Sequence, residues 1–243
     1  MLAALQNEVV KLNRSLAALL ALAAPGVIGL FAFLVQTRIS KGMRWADLMG
    51  NVEMIWAYFM LPMSVTALTA LLANMEHGPK SWDHLRALPV PRWQIYAAKA
   101  ICTAGVVAAM SIGVLLAGLA SGWLISVVRP EVAPTGALEL GVHVQKLAMI
   151  WASALFMIAV QLWVALRFSS FVPGLVLGIA GTFFAVVATG AKEGLFMPWQ
   201  MPVNVLATAK EAWRVPMALG LGSLGGLAAF GLMLAHLSRR EVR

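Results

Sequence analysis

Six stretches of the sequence are each long enough to cross a lipid bilayer and contain no Asp, Glu, Lys or Arg. A transmembrane helix needs about 20 predominantly apolar residues, because the hydrocarbon core is about 30 Å thick. Inside that core every backbone amide must be hydrogen-bonded within the protein, so such stretches form helices. The sequence therefore predicts an all-α, polytopic membrane protein. The six predicted spans are residues 15–36, 54–74, 100–128, 147–166, 168–191 and 215–236.

The composition supports this class of protein. Of the 243 residues, 61% are hydrophobic and 12% are charged, whereas soluble proteins have about 25% charged residues. The connections between the spans are too short for a separate soluble domain, so we expect residues 1–243 to form a single transmembrane domain. The formal charge of +8 fits Lys and Arg beside membrane helices and contact with anionic lipid. No basic run with interleaved aromatic residues indicates binding to nucleic acid.

The distribution of Lys and Arg favours one orientation. With the N-terminus in the cytoplasm, ten of these residues lie inside and eight lie outside, and positive charge is enriched on the cytoplasmic side of membrane proteins. The even number of spans then places both termini in the cytoplasm. Residues 1–14 precede the first span, and Leu2, Leu5, Val9 and Leu12 recur at helical spacing. This pattern predicts an amphipathic helix in the membrane interface, although it also fits an ordinary charged flank.

The segment 75–99 between spans two and three has the most distinctive sequence. Gly78 and Pro79 end the incoming helix, and Ser81 is suited to cap a short new helix. An apolar face ringed by charges would suit a soluble partner protein, but a plain loop with tryptophans at the lipid headgroups is equally compatible. The apolar face is formed by Trp82 and Leu85, and the predicted rim by Glu76, Lys80, Asp83 and Arg86.

The segment 192–214 is apolar but is interrupted by Pro198 and Pro202. It is too short to span, so we expect it to enter the outer leaflet and return as a re-entrant pair of short helices. An interfacial loop anchored by Trp199 and Trp213 is the alternative.

No arrangement of residues typical of catalysis is present. The chain has no His-Glu-x-x-His motif, no Cys/His spacing typical of a metal site and no phosphate-binding loop. We therefore expect no metal site and no enzymatic activity in this chain. No carboxylate lies inside a predicted span to couple transport to an ion gradient. If the protein moves a solute uphill, the energy must come from another polypeptide.

The order of these features resembles the membrane subunit of type-2 ABC transporters. The features are an interfacial N-terminal helix, six spans and the pattern of Glu76, Trp82, Leu88-Pro89, Arg92, Tyr96 and Lys99. Within that group the chain is most similar to small permeases associated with lantibiotic or bacteriocin immunity. The resemblance implies a coupling helix at residues 75–99 that docks on a separate, soluble ATPase, with ATP and Mg²⁺ bound by that partner. The coupling residues implied are Glu76, Trp82, Leu85, Arg86, Leu88, Pro89 and Arg92, with Lys80 and Asp83 beside them.

The resemblance also implies a bacterial inner membrane location and a second permease, identical or related. We expect an amphipathic or peptide-like substrate to be exported along a dimer interface built from spans two and five, because methionine and aromatic side chains make an adaptable apolar surface. Packing against lipid is the alternative role of that surface, and an ATP-independent channel or a membrane assembly protein is the alternative function. The predicted path residues are Trp56, Phe59, Met60, Met63, Gly174, Gly178 and Gly181.

Overall fold

The structure, a computed structural model, describes residues 1–77, 91–188, 191, 193–207 and 211–239. Within these ranges the secondary structure is helical and no β-strand forms; Arg44 and Thr135 make an isolated bridge. The α-helices are α1 (Leu2–Leu12), α2 (Leu16–Gln36), α3 (Trp45–Ile55), α4 (Leu61–His77), α5 (Arg92–Val128), α6 (Leu140–Arg167), α7 (Val172–Val187), α8 (Met201–Asn204) and α9 (Arg214–Arg239).

Helices α3 and α4 form one continuous helical segment of 33 residues, Trp45–His77. They are joined by a π-helical turn, Trp56–Met60. Pro62 follows this turn and has no N–H to donate to the preceding turn of the helix, which is a common reason for a local change of helical register. The continuous segment Trp45–His77 therefore contains a built-in irregularity near its middle.

Five of these helical segments are long and apolar enough to cross a membrane: Leu16–Gln36, Trp45–His77, Arg92–Val128, Leu140–Arg167 and Arg214–Arg239. The predicted fifth span, 168–191, corresponds to the shorter helix α7. Residues 168–171 form a bend before it, and α7 has 16 residues, or roughly 24 Å at 1.5 Å per residue. The multi-pass, all-helical prediction is confirmed, whereas the count of six full spans remains a prediction.

Several helices extend beyond the apolar stretches that predicted them. The second segment begins at Trp45 rather than at residue 54, and α6 begins at Leu140 rather than at 147. Helix α5 begins at Arg92, which agrees with the expectation that a helix starts near Arg92, after Pro89 and Pro91, and continues into the third span. Each predicted span was ended at the first charged residue, whereas the helix continues past that residue. Glu53, Lys99 and Lys146 therefore lie on helices and not in loops.

Glycines allow close contact between helices inside the chain. A Cβ atom on Gly226 of α9 would lie 2.7 Å from the carbonyl carbon of Leu155 in α6, and one on Gly222 would collide with the backbone of Ser153. On α2, a Cβ on Gly29 would lie 2.8 Å from that of Ala117 in α5. The glycine pair in the last span therefore packs α9 against α6, as small residues do in membrane helix pairs.

Contacts between elements define the two ends of the helical bundle. At one end the amino group of Met1 donates to Oε1 of Gln94 at the start of α5 (3.1 Å), and Trp163 of α6 donates to His236 of α9 (3.0 Å). At the other end Arg129 donates to the carbonyl oxygen of Thr37 (2.7 Å). The described borders of segment 75–99, residues 75–77 and 91–99, lie at the first end, which carries α1.

At the second end, the connection between α7 and α9 contains a 3₁₀ turn, Glu193–Phe196, and the four-residue helix α8. Trp199 and Met201 of this connection are buried. Gln200 donates a hydrogen bond to the carbonyl oxygen of Ala185 in α7. The connection therefore packs into the bundle, and its re-entrant path in a membrane stays a prediction.

Candidate functional site

The predicted coupling segment lies between α4 and α5. Glu76 is near the end of α4 and Arg92 is the first residue of α5, where it is exposed. The remaining predicted coupling residues lie outside the described residues. They are Lys80, Trp82, Asp83, Leu85, Arg86, Leu88 and Pro89.

Four charged side chains form a closed ring next to the helix ends that border this segment. Lys99 Nζ donates to Glu76 Oε1 at 2.7 Å and to Glu8 Oε2 at 2.8 Å. Lys11 Nζ donates to the same Glu76 Oε1 at 2.7 Å and to Glu8 Oε1 at 2.8 Å. Each ammonium group therefore contacts both carboxylates. The ring joins α1, α4 and α5, which contribute residues as far as 91 positions apart.

The ring is buried except on the side of Lys11. The exposed fraction of the side chain is 1% for Lys99, 2% for Glu76 and 6% for Glu8, but 27% for Lys11. Moving a single ion into such a place costs several kcal/mol, and here two positive and two negative charges cancel. Burial alone would lower the pKa of Lys11, but its hydrogen bonds to Glu76 and Glu8 outweigh this and raise the pKa above the ordinary 10.5. Lys11 is therefore charged at neutral pH.

This arrangement corrects one expectation. Glu76 was predicted on an exposed rim, and it is instead buried because two ammonium groups from α1 and α5 share its carboxylate. The charged side of α1, which carries Glu8 and Lys11, faces the bundle. The opposite side of α1 is exposed and apolar, with Leu2 77% and Val9 54% exposed, which suits contact with lipid.

Sequence reasoning did not identify Glu8 as a member of this site. The available signal was its spacing of three residues from Lys11, which places both on one side of a helix. Lys99 was noted only as part of the family pattern.

A second buried charged cluster lies near the other end of the same long helix. Glu53 Oε1 is 2.7 Å from Nδ1 of His143, and Glu53 Oε2 is 3.5 Å from Nζ of Lys146. The Glu53 side chain is fully buried. Glu53 and Glu76 are 23 residues apart, which corresponds to roughly 35 Å of helix. The two clusters are thus separated by about the thickness of a hydrocarbon core.

The predicted path residues on the second span do not share one surface. Trp56 is fully buried, and its indole N–H donates to Oγ of Ser111 at 3.2 Å. Phe59 is 43% exposed, and Met60 and Met63 are half-buried. The second span therefore offers Phe59, and partly the methionines, to lipid or to another chain, whereas Trp56 belongs to the core.

The predicted path glycines on α7 are packed inside the chain. A Cβ on Gly178 would collide with Thr66 of α4 and would lie 2.7 Å from Nε2 of Gln161, and one on Gly181 would lie 2.5 Å from the Trp199 ring. Gly174 is also buried, and its carbonyl oxygen accepts a 2.6 Å hydrogen bond from Gln161. Gly178 and Gly181 therefore serve close packing, whereas Gly174 borders a small pocket at the start of α7.

A cavity of about 410 Å³ lies elsewhere, between α5 and α6, and is lined mainly by Ala108, Ile112, Leu115, Val144, Leu147 and Trp151. Its lining includes none of the predicted path residues. Across the part of the chain that the structure describes, no three metal-ligating His, Cys, Asp or Glu side chains come together.

Comparison with known families gave one match. A family model described as ABC-2 family transporter protein matches residues 4–185, well over half of the chain. The matched region begins in α1 and ends in α7, so it includes the ring of charges and both borders of the coupling segment. No curated protein and no solved structure matched the chain.

Proposed function

Because this chain belongs to the ABC-2 family of transporter proteins, we propose that it is the permease subunit of an ATP-driven exporter. Membership in the family makes it a multi-pass membrane component of an ABC transporter and implies an ATP-binding partner subunit. The finer assignment, export of an amphipathic or peptide-like substrate of the antimicrobial-peptide or lantibiotic-immunity type, is our proposal. The observation that carries it is the family match over residues 4–185 together with the segment 75–99.

The sequence indicates which subunit of the proposed transporter would bind ATP. The chain has no phosphate-binding loop, so ATP and Mg²⁺ would be bound by the separate ATPase. We propose that this ATPase docks on residues 75–99, with Trp82 and Leu85 as the apolar anchors. A buried aromatic anchor within a charged surround is typical of a protein–protein contact. A second permease, identical or related, would complete the transporter.

The proposed location is a bacterial inner membrane, with both termini and the coupling segment in the cytoplasm. The excess of Lys and Arg on that side supports this orientation. The contacts of α1 with Glu76 and Lys99, which border the docking segment, also fit this orientation, because an interfacial helix and an ATPase-docking segment would then face the same compartment.

The proposed substrate class depends on the surface that the spans leave open. Phe59 is exposed on the second span, as are Phe183 and Phe184 on α7. Such a surface suits an apolar or amphipathic molecule and offers no fixed charge for a small ion. We propose that the substrate passes along these faces at the interface with the second permease.

The docking proposal is tested by co-purification of the permease with its partner ATPase. Trp82→Ala combined with Leu85→Ala should release the ATPase, because both apolar anchors are lost. The control is Trp123→Ala, since Trp123 is 68% exposed on α5 and lies outside the proposed docking segment. Retention of the ATPase by the double variant at the wild-type ratio would contradict the proposal.

A further inference from the structure

The ring of charges divides into two halves that are each electrically neutral. Helix α1 supplies Glu8 and Lys11, which already contact each other at 2.8 Å. The bundle supplies Glu76 and Lys99, which contact each other at 2.7 Å. The two remaining contacts, Lys11 to Glu76 at 2.7 Å and Lys99 to Glu8 at 2.8 Å, join the halves.

This division allows α1 to separate from the bundle without leaving an unpaired charge on either side. Removing one member of a buried ion network is strongly unfavourable because it leaves an uncompensated ion. Removing α1 as a whole leaves Glu76 paired with Lys99 and Glu8 paired with Lys11. The ring is thus suited to reversible docking. If α1 carried an odd number of these charges, its separation would leave an unpaired ion on each side.

The rest of α1 is compatible with such movement. Its outer side carries exposed apolar residues, including Leu2, Val9 and Val10, and a bilayer surface would retain the helix there after separation. Only a short turn connects α1 to α2, and Arg14 in that turn adopts φ 58°, a conformation that few residues other than glycine adopt. The turn makes α1 a distinct element from the first span.

The position of the ring connects this movement to transport. Glu76 lies at the end of α4 and Lys99 lies in the second turn of α5, so the ring ties together the two helices that border the coupling segment. We propose that Glu8 and Lys11 are positioning residues: docked α1 holds the ends of α4 and α5 in one relation, and released α1 lets them shift. This inference rests on the proposed docking of an ATPase at residues 75–99.

A charge exchange within α1 tests the pairing directly. Glu8→Lys combined with Lys11→Glu keeps the composition and the neutrality of α1, but sets like charges against Lys99 and Glu76. Adding Glu76→Lys and Lys99→Glu restores all four contacts with inverted signs. The matched control exchanges Arg44 and Asp47, an exposed ion pair with the same spacing at the other end of the bundle.

Two measurements separate a positioning role from a structural one. The first is the distance between spin labels at Asn7→Cys and Ser170→Cys in a Cys102→Ser background, measured on the permease in lipid nanodiscs. The second is ATP hydrolysis by the reconstituted complex of permease and ATPase. We expect the α1 exchange to broaden the distance distribution and to change the hydrolysis rate about fivefold or more, with the fourfold inversion returning both values to within twofold of wild type.

Three results would overturn the inference: an unchanged distance distribution in the α1 exchange, a broadened distribution with unchanged ATP hydrolysis, or no recovery in the fourfold inversion. The Arg44 and Asp47 exchange should leave both measurements unchanged. Failure of the proposed function would be distinguishable, because the wild-type permease would then not bind the ATPase at all.

Discussion

At the scale of single residues, the ring of Glu8, Lys11, Glu76 and Lys99 is the main buried ionic feature of the described residues. Lys99 holds two carboxylates and is almost completely buried, with 1% of its side chain exposed. Its long aliphatic stem and compact ammonium group allow it to reach both acceptors from α5. The ring therefore requires Lys99 more than Lys11, which water can partly reach.

Replacement of Lys99 by methionine should destabilise the protein strongly. The variant leaves Glu8 and Glu76 with a single ammonium group between them, and an uncompensated buried charge costs about 3–5 kcal/mol. We expect a clear drop in Tm for the purified permease in detergent. Adding Glu76→Gln should recover part of the loss, because the net charge of the ring returns to zero. The control is Lys41→Met, which removes an exposed lysine from the connection between α2 and α3. Equal Tm values for Lys99→Met and Lys41→Met would contradict this account.

Sequence reasoning named Glu76 and Lys99 but neither Glu8 nor the pairing of these charges. The helical spacing of Glu8 and Lys11 is local and could have been read from the sequence. The contact between Glu8 and Lys99 joins residues 91 positions apart, and nothing in a single sequence fixes such a pair. Glu53 was missed because the predicted span began one residue later, at 54, so the carboxylate was assigned to a loop.

At the scale of helices, small residues decide which neighbours pack closely. The spacing of Gly222 and Gly226 indicates close approach of some other helix, but it does not identify the partner. In the structure the partner is α6 of the same chain. The same holds for Gly178, which was expected to border a transport path and instead packs against Thr66 of α4. Glycine spacing therefore predicts that a close helix–helix contact forms, but it does not identify the partner helix.

An alanine at Gly226 should separate α9 from α6. The added Cβ would lie 2.7 Å from backbone atoms of Leu155 and Phe156, and overpacking of this kind costs about 1–3 kcal/mol. Gly231→Ala in the same helix is the matched control, since no atom lies within 4 Å of its Cβ position; there the better helix propensity of alanine should stabilise by up to about 1 kcal/mol. Thermal unfolding of both variants checks the prediction, and a more stable Gly226→Ala variant would contradict it.

At the scale of the whole molecule, apolar length predicted the fold class, which is confirmed, whereas the orientation inferred from charge placement stays a prediction. The all-helical, multi-pass architecture follows from the requirement that backbone groups be satisfied inside a bilayer, so the sequence alone was enough. The extent of the helices was less predictable. Glu53 and Lys99 are charged yet lie on helices, because their charges are neutralised by partners from other elements. A search for stretches without charged residues does not detect such partners.

The orientation of the molecule can be tested with two introduced cysteines. Arg14 and Lys41 are both exposed and flank opposite ends of α2, a helix of 21 residues that is long enough to span. We expect Arg14→Cys to be protected from an impermeant thiol reagent applied to intact cells and Lys41→Cys to react, each in a Cys102→Ser background. The reason is that the excess of Lys and Arg favours a cytoplasmic location for the end that carries α1. Permeabilised cells provide the control, because both cysteines should then react.

Labelling of Arg14→Cys but not Lys41→Cys in intact cells would invert the orientation. It would also place the ring of charges on the wrong side of the membrane for an ATPase, so this measurement tests the proposed coupling as well as the topology.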